Sequence, residues 1–387
     1  QIENVKVTAT GYYTNNTPSG AMRTFGVLQP TFAIESLMDI CSEKLGIDPI
    51  ELRMINGMKD GAVTHTRQVL GKVAYTETLK KCSEIAGWEV GSSRVRGSVR
   101  KDIKGSQIAE PYIPGKEFKS EEAMKLCRDR FKYGRGVGTG WYGIGRCATI
   151  DKAGAFVEID DGGTAMILTG VSEIGEGILT VLTQIAADEL GMYPEDITIG
   201  DNDTARVPEA AHVGASRQTY MIGNAVCNAC RDVKKKFIRE MAAYWNIDSS
   251  SICMKNRRIY VEGNAQYNLS LKEAVDICKK IRGIVPLGSG TYTAHHEGLD
   301  PVDGRGNPWQ AYVFGTQIAE VAVDTFTGEV HVLGIWAAHD VGRVINPRGV
   351  EGQIEGGAVQ SMGQTIMENY VLSEGCLLYT SPSPRDS

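Results

Sequence analysis

The sequence predicts a mixed α+β chain of two domains. Two observations carry this: apolar residues recur at helical spacing between 30 and 87, and apolar and polar residues alternate around tight turns from 134 onward. A third is negative: there is no strict βαβ order and no Rossmann glycine fingerprint. With 387 residues the chain can bury two separate cores.

Residues 30–45 form the first expected helix, with Ile34, Leu37, Met38, Cys41 and Leu45 on one face and Gly46 as its stop. Asp48-Pro49 starts a short second helix, an N-cap followed by proline at the first helical position. A third spans 74–87, with Leu79, Cys82, Ile85 and Ala86 inward. AFVEI, the DDGG turn and TAMILTG read as a β-hairpin. GVSEIGEG (170–177) then leads into a helix over 178–190, and EDITIGD reads as a strand. A long helix over about 216–245 and a strand over 258–261 follow. QIAEVAVD, TFTGE and VHVLGIWAAHD form a second hairpin, again followed by a glycine-rich loop and a helix. The hairpin–loop–helix unit is therefore expected twice, around 153–190 and 317–368.

Composition narrows the function. Hydrophobic residues make up 42%, and the net charge of −6 comes with no basic patch beyond Lys234–Lys236, so nucleic acid is not an expected partner. No apolar run approaches the roughly 20 residues of a membrane span, so no membrane is expected either. The nine cysteines are scattered and suggest a reducing cytoplasm. Cys227 and Cys230 form a lone C-x-x-C inside a helical pattern and read as buried small residues. The histidines have no ligand spacing, so no metal held directly by the protein is expected.

Glycine, at 45 residues, exceeds the usual share of roughly 7% and gathers in discrete loops. Three of these read as running into helix starts: GVSEIGEG (170–177), AHVGASRQTYMIGNAV (211–226) and VEGQIEGG (350–357). A helix start offers unpaired amides and partial positive charge, and glycine lets a ligand touch backbone. Ser216, Gln218 and Gln353 place a hydroxyl or amide at these loops, which suits a large, polar, partly anionic cofactor. A fourth piece, SGAMRTFGVLQ (19–29), carries Arg23, a bidentate donor, and Phe25, a ring able to pack against a planar substrate.

Together these residues resemble the molybdenum-binding subunit of the xanthine dehydrogenase and aldehyde oxidase family. The pattern FRGFGxPQ appears here as MRTFGVLQ (22–29), and E-[MI]-G-Q-G as EIGEG (173–177). The Ala-Ser pair is Ala215-Ser216, followed by Arg217-Gln218-Thr219. D-V-G-x-x-I-N-P and G-Q-[IV]-E-G are matched fully at 340–347 and 352–356. The resemblance covers about residues 8–375, in order.

The resemblance implies two molybdopterin-binding domains built from β-hairpin–loop–helix units. It divides the chain into 1–88, the end of the first domain; 89–133, a connection; and 134–375, a truncated second domain. The segment CLLYTSPSPRDS (376–387) changes style abruptly, resembles a translated sequencing adapter, and is set apart from the fold. The implied cofactor is molybdenum–molybdopterin, in its cytosine dinucleotide form in many bacterial members. Its contacts would be Arg23, Gly175, Glu176, Ala215, Ser216, Gln218 and Gln353, with Phe25 and Arg23 on the substrate side. Trp141 and Tyr142 are candidates for a second aromatic wall.

The implied reaction is hydroxylation of an electron-poor carbon in an N-heterocycle of xanthine or nicotinate type, with water as the oxygen source. Electrons would leave through [2Fe-2S] clusters and FAD on partner domains or subunits of a hetero-oligomer. The glutamate base is expected beyond residue 387, so no residue here is assigned as catalytic. The alternatives are an aldehyde oxidoreductase, an aromatic-thioester (hydroxybenzoyl-CoA) reductase and a non-catalytic cofactor-binding subunit. Two departures stand out. Thr24 replaces a glycine. Glu176 replaces a glutamine, and its carboxylate near a pterin phosphate should be protonated, turned aside or matched to a different cofactor tail.

Overall fold

A computed structural model describes residues 5–16, 20, 22–90, 130–147, 150–295, 297–373 and 376–379. Almost all of the expected connection over 89–133 lies outside these residues. The chain divides into two compact units: residues 1–142, 313–342 and 354–387 form the first, and residues 143–312 and 343–353 the second.

In the first unit, α1 (Leu28–Leu45) stops at Gly46, whose φ of 66° is open to glycine at little steric cost. α2 (Pro49–Asn56) starts as the Asp-Pro pair requires: the Asp48 carboxylate accepts from Ile50 N at 2.8 Å and Glu51 N at 3.2 Å. α3 (Tyr75–Ile85) packs on a three-stranded sheet, order β1-β9-β10, formed by β1 (Phe131–Gly143), β9 (Tyr312–Asp324) and β10 (Val330–Asp340). Their core gathers Ile50, Leu79, Cys82, Ala86, Val137, Ile318 and Ala338. β9 and β10 make the expected antiparallel hairpin, with Val323 opposite Val330.

Two expectations are corrected in this unit. Ile85 is exposed, because the buried stripe of α3 runs through Thr78, Leu79, Cys82, Ser83 and Ala86 and leaves position 85 to one side. The apolar face of α1 is also exposed: Ile34, Leu37 and Leu45 keep more than half of their surface. Glu320 is buried on β9. Its carboxylate lies 3.4 Å from Arg135 Nε, and that guanidinium lies over the rings of Trp88 and Trp336.

The second unit is built on a four-stranded sheet, order β4-β3-β2-β8. β2 (Lys152–Ile159) and β3 (Ala165–Leu168) form the first expected hairpin, with Ile159 opposite Ala165. Asp160 closes its turn by accepting from Gly162 N and Thr164 N. α4 (Ile178–Leu190) returns the chain to β4 (Ile197–Ile199), which pairs parallel with β3. A π-turn (Gln218–Ile222) opens α5 (Gly223–Trp245), which lies against β8 (Leu287–Thr293). Val157, Ile159, Ile167, Leu182, Val226, Val233 and Phe237 fill the core between sheet and helices.

β5 (Ile252–Lys255), β6 (Arg258–Val261) and β7 (Asn264–Ser270) form a separate small sheet, followed by α6 (Leu271–Asp276). On α5, Cys230 is buried and Cys227 faces Glu189; burial pushes both thiols above their ordinary pKa.

α7 (Pro347–Ile366) corrects the third glycine loop. VEGQIEGG lies inside this helix rather than before it. Asn346-Pro347 starts it: the Asn346 side chain accepts from Gly349 N at 3.1 Å, and proline sits at the first helical position. The tail residues Cys376–Tyr379 form β12, which pairs antiparallel with β11 (Val371–Ser373). No helix among the described residues is long and apolar enough to cross a membrane.

Candidate functional site

In the second unit the two glycine loops are tied together by side chains. The loop at 170–177 reaches α4 through Gly175 and Gly177, with φ of 100° and 83°. Glu173 turns back over it. Its carboxylate accepts from Gly175 N at 2.8 Å, Gly177 N at 2.9 Å and Leu179 N at 3.3 Å. The amides that the sequence offered to an external anion are therefore held by the chain's own carboxylate. Partial desolvation raises the Glu173 pKa, but the hydrogen bonds from the three amides outweigh it, and the pKa falls below its ordinary value.

A group with a lowered pKa stabilises the fold above its unfolded value and loses that contribution as pH falls through the folded one. Protection of the Gly175, Gly177 and Leu179 amides from hydrogen exchange is thus expected to hold from about pH 7 to 5 and to fade below about pH 4. Glu173→Gln is expected to lose that protection already near neutrality. Unchanged protection in the variant would remove Glu173 from this role.

The second loop is strained. Ala211, Ala215 and Ser216 have φ of 57°, 48° and 53°, a left-handed region that costs non-glycine residues about 1–3 kcal/mol each unless surrounding structure imposes it. Arg217 imposes it. Its guanidinium is fully buried and donates to Asp151 Oδ1 at 2.7 Å from Nη2 and 3.0 Å from Nε. It also donates to His212 O at 3.1 Å, to Lys152 O at 3.0 Å and to Ala210 O. Asp151 in turn accepts from Arg146 N, and Gly145 N donates to Ala215 O at 3.0 Å. Arg146 Nε donates to His212 Nδ1 at 2.8 Å, which requires that nitrogen to be unprotonated. Desolvation, Arg146 and Arg217 all lower the His212 pKa, in agreement.

Gln218 faces the first loop. Its Nε2 donates to Ser172 O at 3.0 Å and to Glu176 Oε1 at 2.8 Å. Ser216 is exposed beside it, and a Cβ added at Gly175 would meet nothing within 4 Å. The two loops therefore present open backbone at 175 and 215–216, while Arg217 and Gln218 anchor that backbone from beneath.

Gln353 lies on α7 and is exposed. Arg23 and Phe25 belong to the first unit. There Thr24, Phe25 and Gly26 have φ of 74°, 56° and 87°, so the glycine expected at 24 has a backbone reason, and a β-branched residue bears the strain. Arg23 and Thr24 line a cleft of ≈ 40 Å³ with Leu28, Gly357, Gln360 and Ser361. The Phe25 ring is exposed, and Trp141 stacks on Phe314 with ring centroids 6.4 Å apart.

Sequence reasoning missed Glu173, Asp151 and the anchoring role of Arg217. The usable signal was an arginine directly after a pair of strained small residues. No cluster of three or more His, Cys, Asp or Glu suited to a metal ion occurs among the described residues.

Residues 1–57 and 113–384 each match a molybdopterin cofactor-binding domain family. The chain is 31% identical, over 97% of its length, to a probable xanthine dehydrogenase subunit of Bacillus subtilis, of which it spans 45%. It is 28% identical, over 95% of its length, to the aldehyde oxidoreductase of Megalodesulfovibrio gigas, of which it spans 34%. Quinoline 2-oxidoreductase from Pseudomonas putida 86 shares the fold, with a TM-score of 0.73 over 95% of this chain and 45% of that one at 22% identity. The chain thus spans less than half the length of these relatives. Because one matched domain alone covers well over half of the sequence, the chain belongs to the molybdopterin cofactor-binding domain family.

Proposed function

We propose that this chain forms the molybdopterin-holding part of an oxidoreductase that hydroxylates an N-heterocycle of purine or nicotinate type, with water as the oxygen source. The observation that carries the reading is the open left-handed backbone at Gly175 and Ala215–Ser216, in loops that match the family's cofactor motifs. A pterin needs many amide and hydroxyl partners and close backbone approach, and these positions suit it. Open space over Gly175, an exposed Ser216 hydroxyl and a firmly anchored loop are what such a ligand requires.

When bound, the molybdenum centre supplies the two-electron oxidation of the substrate carbon. The residues of this chain bind and orient. Gly175, Ala215 and Ser216 offer backbone and hydroxyl contacts, Gln353 adds an amide, and Glu176 and Gln218 support the loops from beneath. Arg23 and Phe25 serve the substrate side, where an exposed aromatic ring suits a planar heterocycle better than an aliphatic aldehyde. The cofactor is assigned as the cytosine dinucleotide form, with [2Fe-2S] and FAD on partner subunits or domains of a cytoplasmic hetero-oligomer. The name of the Bacillus subtilis relative, a xanthine dehydrogenase subunit, supports the substrate class.

The test is made on the full-length protein purified with its partner subunits. Stoichiometric molybdenum and pterin are expected, with dye reduction by hypoxanthine or nicotinate outpacing that by aldehydes and by hydroxybenzoyl-CoA. Turnover of aldehydes alone would overturn the substrate class. Active complex without molybdenum would overturn the whole reading.

A further inference from the structure

Glu176 meets donors on both sides. Its Oε2 accepts from Ile174 N at 2.9 Å, and its Oε1 accepts from Gln218 Nε2 at 2.8 Å. The orientation of the Gln218 amide follows from the same chemistry. Its nitrogen faces Ser172 O and the Glu176 carboxylate, both acceptors, so the oxygen must point away. Gln218 is only 5% exposed, and its Oε1 is buried with no protein partner. The amide has thus been turned to serve the bridge, at the cost of an unsatisfied oxygen.

Only a carboxylate fits position 176 in this arrangement. It presents an acceptor to each of the two N–H groups. A carboxamide there has one acceptor and one donor, so its NH2 would face either Ile174 N–H or the Gln218 amide. The bridge joins a loop that leads into α4 to the first residue of the turn that leads into α5. Gln218 directly follows Arg217, which holds the same loop to Asp151 from the other side.

We infer that Glu176 is a positioning residue. Its carboxylate locks the 170–177 loop to the 214–218 loop through Gln218 and sets the spacing between the backbone at Gly175 and at Ala215–Ser216, instead of ligating the cofactor itself. This inference rests on the molybdopterin reading above. It also accounts for a carboxylate so close to an anionic cofactor: both of its oxygens are turned into the protein. Glutamine, the residue of the resembling motif at this position, would be the poorer side chain here.

The experiment uses the full-length subunit with its partners and compares wild type, Glu176→Gln, Gln218→Glu and the double exchange. Molybdenum and pterin retained after dialysis are measured beside the exchange rate of the Ile174 amide and the melting midpoint. Glu176→Gln is expected to release the cofactor about tenfold faster and to speed Ile174 exchange about tenfold, the scale of one lost hydrogen bond to a charged group. A purely architectural role would lower the melting midpoint and leave the release rate at lower temperature unmoved. Gln218→Glu sets two carboxylates against each other, and the double exchange restores a donor–acceptor pair, so it is expected to retain more cofactor than Gln218→Glu alone.

Equal or tighter retention in Glu176→Gln would overturn the inference, because a direct ligand restored to the motif residue behaves that way. Should Glu176→Gln fail to fold, the double exchange decides: retention no better than in Gln218→Glu overturns the bridge. Wild type without molybdenum or pterin would instead refute the cofactor reading, while Ile174 exchange would still report on the bridge.

Discussion

Arg217→Met is expected to lower the melting midpoint of the protein by roughly 10 °C. Removing one partner of a buried ion pair costs about 3–5 kcal/mol, because the other charge stays buried without compensation. For a unit of this size each kcal/mol shifts the midpoint by about 2–4 °C. Arg217 and Asp151 keep 0% and 1% of their side-chain surface, so solvent cannot take over. Methionine fills much of the volume, which assigns the loss to hydrogen bonds and charge rather than to a cavity. The double variant with Asp151→Asn is expected to recover part of the loss, since the stranded charge is gone. Lys72→Met is the control. Its pair with Asp60 is exposed on both sides, where water screens the charges, so the midpoint is expected to move little. Equal effects at positions 217 and 72 would mean that Arg217 does not hold the strained loop.

Gly290→Ala is expected to destabilise the second unit by about 3 kcal/mol or more, the upper end of what overpacking costs. A Cβ at 290 would lie 2.2 Å from Ala229 N and 2.3 Å from Ala225 O, both backbone atoms of α5. A helix backbone cannot rotate away as a side chain can, so α5 must lift from β8. Gly288 is equally close, with Ala229 O at 2.3 Å. These glycines are why the long helix lies so near the sheet, and that helix carries the turn beginning at Gln218. Gly138→Ala on β1, where nothing lies within 4 Å of the added atom, is expected to shift stability by less than about 1 kcal/mol. Calorimetric melting of the two variants checks the contrast.

Local signals in the sequence are legible where chemistry and backbone demand coincide. Asp48-Pro49 announces α2, Gly46 stops α1, and the DDGG turn sets the first hairpin. The start of α7 is harder to see because Asn-Pro serves equally as the end of one element and the N-cap of the next. Gly352, Gly356 and Gly357 favour a loop, since each costs about 1 kcal/mol in a helix relative to alanine. Part of the compensation is spatial: at Gly357 an added Cβ would lie 3.4 Å from Arg23 Nη2.

The site is legible as loops but not as a network. Glycine pattern and helix starts point to 170–177 and 211–218. Nothing in spacing alone reveals that Glu173 fills the amides of its own loop, or that Asp151, 66 residues before Arg217, receives its guanidinium. Periodicity likewise identifies the apolar face of α1 without saying whether the described residues cover it; they do not.

The anchored left-handed backbone at 175 and 215–216 is where the cofactor is expected to sit. An experimental structure of the full complex, with molybdenum located by anomalous scattering, tests this most directly. Pterin atoms are expected within about 3 Å, hydrogen-bond distance, of Gly175 and Ser216 polar atoms, with Glu176 and Gln218 still joined beneath. A pterin seated away from both loops, with Gly175 and Ser216 facing solvent, would contradict it.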